Sequence, residues 1–406
     1  MSVNNNESNR NFKAFIWHAS FLALAANFMD IDTVIPAMLL TIGGSAIHMG
    51  ILTSIMVGGA SFMQLFFSGM LSNVAFKKKF LLAAINLRVL SLFGLSSIFY
   101  FSHTLSADTI FISIFALITI FSFSGSFANV SYIDILGKTI NKAKRKKFFS
   151  LKQFISSIGL LTSAFGASYV LKQYVFPANY SVTFIFAATL LFIASAGFYF
   201  LSENTASAKK KVGLKDFFAQ MPKEIKSNSN LKNYLIIINM LGVGVSLLPF
   251  VILLAKDSDS ISLESIGSFI IFRTLGMVIG SLSLYFLAKS FSYRKVLFFN
   301  VFLGSSIPLL ALAFQNNASL FPLIFLLAGI FVSTYKVAMN GMLIDISNDE
   351  NRTLYAGMSG AGNIITSIFP LIAGILISTI GYNYVFIAIS LLMFSSIIFI
   401  KKLGSI

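Results

Sequence analysis

The polar stretch ENTASAKKKVGLKDFFAQMPKEIKSNSNLKN, Glu203 to Asn233, carries the reading of the fold. It interrupts a chain of 406 residues that is 56% hydrophobic and only 11% charged, with a mean hydropathy of +0.84. A soluble core wrapped in polar surface does not reach such values. A membrane-spanning helix needs roughly 20 mainly apolar residues, and six segments of that kind precede the stretch while six follow it. The apolar periodicity places them near 15–42, 46–74, 80–102, 108–136, 150–172 and 178–201, then 233–255, 263–288, 295–314, 318–345, 354–379 and 382–400. The expected class is an all-α integral membrane protein of 12 transmembrane helices in two six-helix bundles. Residues 1–202 form the first bundle, 203–232 a linker loop and 233–406 the second.

The net charge of +16 is a matter of topology. Lysines 77–79, the KAKRKK run at 142–147, lysines 209–211, Arg294 with Lys295, Arg352 and Lys401 with Lys402 all fall in loops on one side. The opposite loops hold Lys172 and Lys256 with Asp108, Asp257, Asp259 and Glu264. The positive-inside rule therefore makes both termini and the linker cytoplasmic in a multi-pass protein of the cell (inner or plasma) membrane. These charges anchor loops against the lipid bilayer and imply no nucleic-acid partner. The segment from Phe15 has no small-residue cleavage site and reads as a retained helix. The lack of cysteine excludes disulfides and cysteine-based metal or redox sites.

An internal repeat supports the division into halves. Gly50, Gly59 and Phe76-Lys77-Lys78 align at one constant offset with Gly267, Gly276 and Tyr293-Arg294-Lys295. Ser122, Asn129 and Asp134 align likewise with Ser333, Asn340 and Asp345, and Thr162-Ser163 and Phe165 with Thr366-Ser367 and Phe369. The offset changes only at loops, as expected of a duplicated six-helix unit.

Six plus six spans with a basic central loop resemble the major facilitator superfamily of secondary transporters. The segment GMLSNVAFKKK, Gly69 to Lys79, is similar to that family's loop between spans 2 and 3, keeping Gly69 and Leu71. Asn73 replaces the usual acid, Phe76 a glycine and lysines the arginine, so the loop's usual charge relay is altered. Asp32-x-x-x-Pro36 resembles a span-1 motif of drug/proton antiporters, whereas the Gly-Pro signature of their span 5 is missing from SSIGLLTSAFGAS. Gly159 and Gly166 with Ser156 and Ser163 form a small-residue seam there, the mark of helix packing.

An ionised side chain at a helix centre costs about 2.5 to 3.5 kcal/mol on insertion scales and marks a cavity or a partner. Five lie well within spans: Asp30, Asp32, Arg88, Arg273 and Lys336. On a regular helix Asp30 and Asp32 point to opposite sides. Asp30 shares a polar face with Asn27, Thr33 and Ala37, while Asp32 lies with Phe28, Ile35 and Leu39. Helix geometry thus nominates Asp30 for a proton-coupling or substrate role and the motif nominates Asp32, with Pro36 loosening the helix between them. The resemblance implies that span 10 lines a central cavity, which makes Lys336, Tyr335 and Asn340 candidate substrate contacts, with Asn129 as the repeat-mate of Asn340. Arg273 is a candidate for an interface salt bridge or an anion, and Arg88, nearer the cytoplasmic end, for snorkelling or a structural ion pair. The resemblance further implies a cytoplasmic gate at Asp134 and Asp345 with Lys77, Arg294 and Arg352.

The expected function is a secondary active transporter moving a small organic solute, an organic anion among the candidates, by alternating access with protons as coupling ion. A drug or metabolite efflux antiporter is the alternative, and a passive channel or lipid scramblase a different class. His18, His48 and His103 are the three histidines and form no ligand or nucleophile motif, so neither an enzyme, a metal site nor a cofactor is expected. A monomer is expected.

Overall fold

The computed structural model describes residues 5–71, 74–204, 206, 214–258, 265–287, 292–347, 355, 358–360 and 362–403. Among them all regular structure is helical. Twelve segments are long and apolar enough to cross a membrane, here numbered as spans in chain order. They are Asn6–Thr41, Ala46–Gln64, Lys78–Tyr100, Ala107–Thr139, Leu151–Gln173, Ala178–Tyr199, Ser229–Lys256, Ile266–Leu284, Tyr293–Phe314, Phe321–Leu343, Met358–Ile380 and Tyr382–Lys401. The sequence expectation of an all-α, twelve-span protein is met. Contacts group the chain into two units, Met1–Asp30 with Phe62–Val212, and Ile31–Ser61 with Gly213–Ile406.

In the first unit, the helix Asn5–Ala25 packs on spans 5 and 6, and span 3 packs on spans 4 and 6. Phe15, Phe99, Phe148, Phe184 and Phe198 are completely buried, and Phe15 meets Phe148 and Phe198 edge-on. Lipid is as apolar as these rings, so close packing and polar contacts between helices must supply the association. A Cβ added at Gly159 would lie 2.7 Å from that of Ala23, and one at Gly166 would lie 3.0 Å from the Phe28 ring. Asn27, between those two residues, donates to Ser163 Oγ and to the Leu160 carbonyl at 2.8 Å each. The small-residue seam of span 5 is therefore a packing face against span 1.

In the second unit, spans 8 and 10 make the closest approach. A Cβ at Gly329 would collide with the carbonyl oxygen of Arg273, and one at Gly276 with that of Leu326. The helix Ala46–Thr53 packs on Ile364–Ile380, where a Cβ at Gly50 would lie 2.5 Å from the Pro370 carbonyl oxygen.

Several spans depart from a regular helix, three of them near the sites discussed below. Span 1 runs as a helix Asn5–Ala25, a 3-10 turn Ala26–Met29, an extended Asp30 and a second helix Val34–Thr41. Pro36 is the third residue of that second helix, where its missing N–H leaves no helix carbonyl unsatisfied. The first hydrogen bond closes from Ala37 N to Thr33 O at 3.0 Å. Span 7 is likewise divided into Ser229–Val245 and Leu248–Lys256, with Pro249 in the first turn of the second piece. Span 2 carries a π-helical turn, Ser54–Gly59, an irregularity frequent at functional sites.

Candidate functional site

Spans 1 and 7 begin the two sequence halves, and both are interrupted ahead of a proline. Non-helical backbone at membrane depth is tolerated only where protein buries it or where it lines a cavity. Within the second unit the helix Val34–Thr41 packs against Leu248–Lys256 and against span 8. Asp32 lies just ahead of that short helix, where the exposed N–H dipoles favour negative charge. Its carboxylate is 6% exposed and accepts from Nη2 of Arg273, itself 6% exposed, to form an ion pair. Thr33 and Thr274, beside the two partners in sequence, are buried as well. The pair thus places opposite charges at the helix break, out of water, where neither is stable alone.

The expectation that Asp30 and Asp32 lie on opposite faces of one helix does not carry over. Neither is in a helix: Asp30 is extended, at φ −68° and ψ 128°, and Asp32 lies in the turn that follows. Asp30 is half-buried. Tyr335 is buried and donates to the Ile238 carbonyl at 3.1 Å. Lys336 and Asn340 are exposed on span 10. Asn129 lines a cavity inside the first unit, beside Arg88 and Lys152.

Of the gate candidates, Lys77 and Asp134 are joined at 3.0 Å, and Lys138 reaches Asp134 at 3.2 Å. The residue that organises this cluster is Glu203. Its side chain is 3% exposed, pairs with Lys138 at 2.7 Å and accepts from the backbone N–H groups of Lys77 and Lys78 at 2.7 Å each. Those groups open the helix Lys78–Tyr100, so the carboxylate caps a helix N-terminus while bracing the ends of spans 3, 4 and 6. Sequence reading had placed Glu203 at the start of the linker. The signal for it is an acid directly after span 6, on the side whose loops are rich in lysine and arginine. Among the described residues Asp345 has no ion pair, and Arg294, the repeat-mate of Lys77, donates to the Lys401 carbonyl at 2.8 Å. Asn73 and Arg352 lie outside the described residues. Glu203→Gln removes a buried charge-assisted network and is expected to lower stability by about 2 kcal/mol, read as an earlier thermal unfolding transition in detergent. An unchanged transition would contradict the bracing role.

Residues 234–403 match the family model of the Major Facilitator Superfamily. No curated protein sequence matches the chain significantly. Among solved structures, the chain is similar to the nucleoside transporter NupG, with TM-score 0.67, 13% identity, and 96% of this chain and 99% of that one covered. It is similar too to a POT family transporter in complex with 5-aminolevulinic acid, with TM-score 0.73, 11% identity and coverage of 98% and 97%. A bacterial homologue of the iron transporter ferroportin, in an inward-facing state, gives TM-score 0.68 at 14% identity, with 98% and 99% covered. At these identities the likeness is one of fold, and it spans both halves. With twelve candidate membrane spans the chain shares the fold of these proteins, and its residues 234–403 match the model of the Major Facilitator Superfamily.

Proposed function

We propose that the protein is a secondary active transporter that moves a small organic solute across the cell membrane by alternating access, with protons as the coupling ion. The observation that carries this reading is the buried Asp32–Arg273 pair at the break of span 1, packed beside the broken span 7. Paired interruptions in corresponding spans of two repeats are the strongest pointer to a transport site. A proton taken up by Asp32 cancels its charge and releases Arg273, which then needs another anion. An anionic solute supplies it, so proton and solute enter the site together. Asp30, half-buried at the same break, relays the proton. Lys336 and Asn340, exposed on span 10, serve as polar contacts for the solute in the second unit, and Asn129 does so in the first. Lys77 with Asp134, and Asp345 with Arg294 and Arg352, act as the cytoplasmic gate.

The alternative is an efflux antiporter, favoured by the Asp-x-x-x-Pro resemblance. Antiport sends solute and protons in opposite directions, and cotransport sends them together. The test is solute flux in liposomes under an imposed pH gradient. Gradient-driven accumulation that is lost in Asp32→Asn and slowed in Asp30→Asn is the expected result. Flux indifferent to the gradient and to both substitutions would overturn the coupling. The proposed setting is the inner or plasma membrane, with both termini cytoplasmic and a monomer as the working unit.

A further inference from the structure

The first unit holds a partly open cavity of about 160 Å³ lined by spans 1, 3, 4, 5 and 6. Its lining mixes apolar residues such as Leu22, Leu81 and Ile85 with the polar His18, Arg88, Asn129, Tyr132 and Lys152. Snorkelling or a structural ion pair is the sequence expectation for Arg88, and among the described residues it has no ion pair. Its guanidinium carbon lies 4.3 Å from the centre of the Phe121 ring, and its Nε is buried without a hydrogen-bond partner. Lys152 holds its ammonium 5.3 Å from the centre of the Tyr132 ring. Among the described residues no carboxylate pairs with either cation. Arg88 owes its place to Gly125, where a Cβ would come within 3.2 Å of Nε.

Two uncompensated cations around one cavity are costly unless something negative is shared between them. Ring faces return only about 0.5 to 2 kcal/mol per cation. An arginine fork and an ammonium in one cavity suit the oxygens of a carboxylate or phosphate. Asn129 and Tyr132 add neutral hydrogen-bonding groups, while the apolar lining residues suit a short apolar body. The volume matches a ligand on the order of six heavy atoms, since an engineered cavity of about 150 Å³ holds benzene.

We infer that this cavity is a binding site for a small oxyanion, held by Arg88 and Lys152 among the apolar side chains of spans 1 and 3. The inference deepens the transport reading, and rests on it, only in making that anion the cargo. Binding itself stands apart from it.

The test is thermal unfolding and isothermal binding of the full chain in nanodiscs, with sodium pyruvate or inorganic phosphate as probe. Zwitterionic and anionic lipid discs are run in parallel. The expected result is saturable stabilisation by one of the two soluble probes in zwitterionic discs. In Arg88→Met that affinity falls about tenfold or more, while the unliganded protein unfolds no earlier than wild type, because an unpaired buried charge has been removed. Gly125→Ala keeps the charge but displaces the guanidinium, and is expected to weaken binding as well. Stabilisation only by the anionic discs would assign the cavity to a lipid headgroup and overturn the soluble-anion site. Probe binding unchanged in both variants, or no binding by any probe, would overturn it too. Arg88-dependent binding without flux in liposomes would leave this site standing and count against the transport reading.

Discussion

Asp32→Asn is expected to cost about 3 to 5 kcal/mol of stability and to abolish proton-coupled flux, the largest effect of any single change in the chain. The reason is the Arg273 guanidinium, which is buried at the helix break and loses the carboxylate that holds it. Arg273→Met is expected to be nearly as harmful, since it leaves Asp32 buried in turn. The double variant, Asp32→Leu with Arg273→Met, separates stability from function. With both charges gone the apolar surroundings are intact, so most of the lost stability returns. Flux does not return, because the carboxylate that takes up the proton and the guanidinium it releases are both gone. Thermal unfolding and flux measured on the three variants decide the matter. A double variant that transports like wild type would show the pair to be a fastener with no part in coupling.

Gly329→Leu is the second large effect. Spans 8 and 10 touch through their backbones, and a side chain at position 329 would enter the space held by the carbonyl of Arg273. Overpacking of this kind costs about 1 to 3 kcal/mol, and more where backbone must give way. Here the strain falls on the turn that presents Arg273 to Asp32, so stability and flux should drop together. Gly137→Ala is the control. It lies in the helix Ala107–Thr139 with no atom within 4 Å of the added Cβ, so the better helix former should leave unfolding unchanged or slightly later. Equal losses in the two variants would contradict the close-contact account.

The sequence made the fold legible because membrane spans are written in length and hydropathy, and loop charge separates the two sides. The repeat matches Asp134 with Asp345 and Lys77 with Arg294, but it could not say that among the described residues the ion pair forms in the first half alone. It named Asp32 and Arg273 separately, since no spacing rule connects span 1 with span 8. The break that brings them together hides in NFMDIDTVIPAML, which is apolar enough to pass for one continuous helix. Pro36 was visible, yet a proline reads equally well as a kink or as the first turn of a new helix. His18, Arg88 and Lys152 went unrecognised as a group because three spans far apart in sequence contribute them. Glu203 was missed for a simpler reason: an acid at the mouth of a polar loop looks solvated until its three partners are seen.

The central claim is that the buried pair at the broken span couples solute to protons. The most direct measurement is the internal pH of lightly buffered proteoliposomes, followed with a trapped dye as small organic anions are added outside. The account predicts a saturable pH change driven by a particular anion and absent from the Asp32→Leu, Arg273→Met double variant. Saturable uptake of that anion with no accompanying proton movement, or proton movement that survives in the double variant, would contradict it.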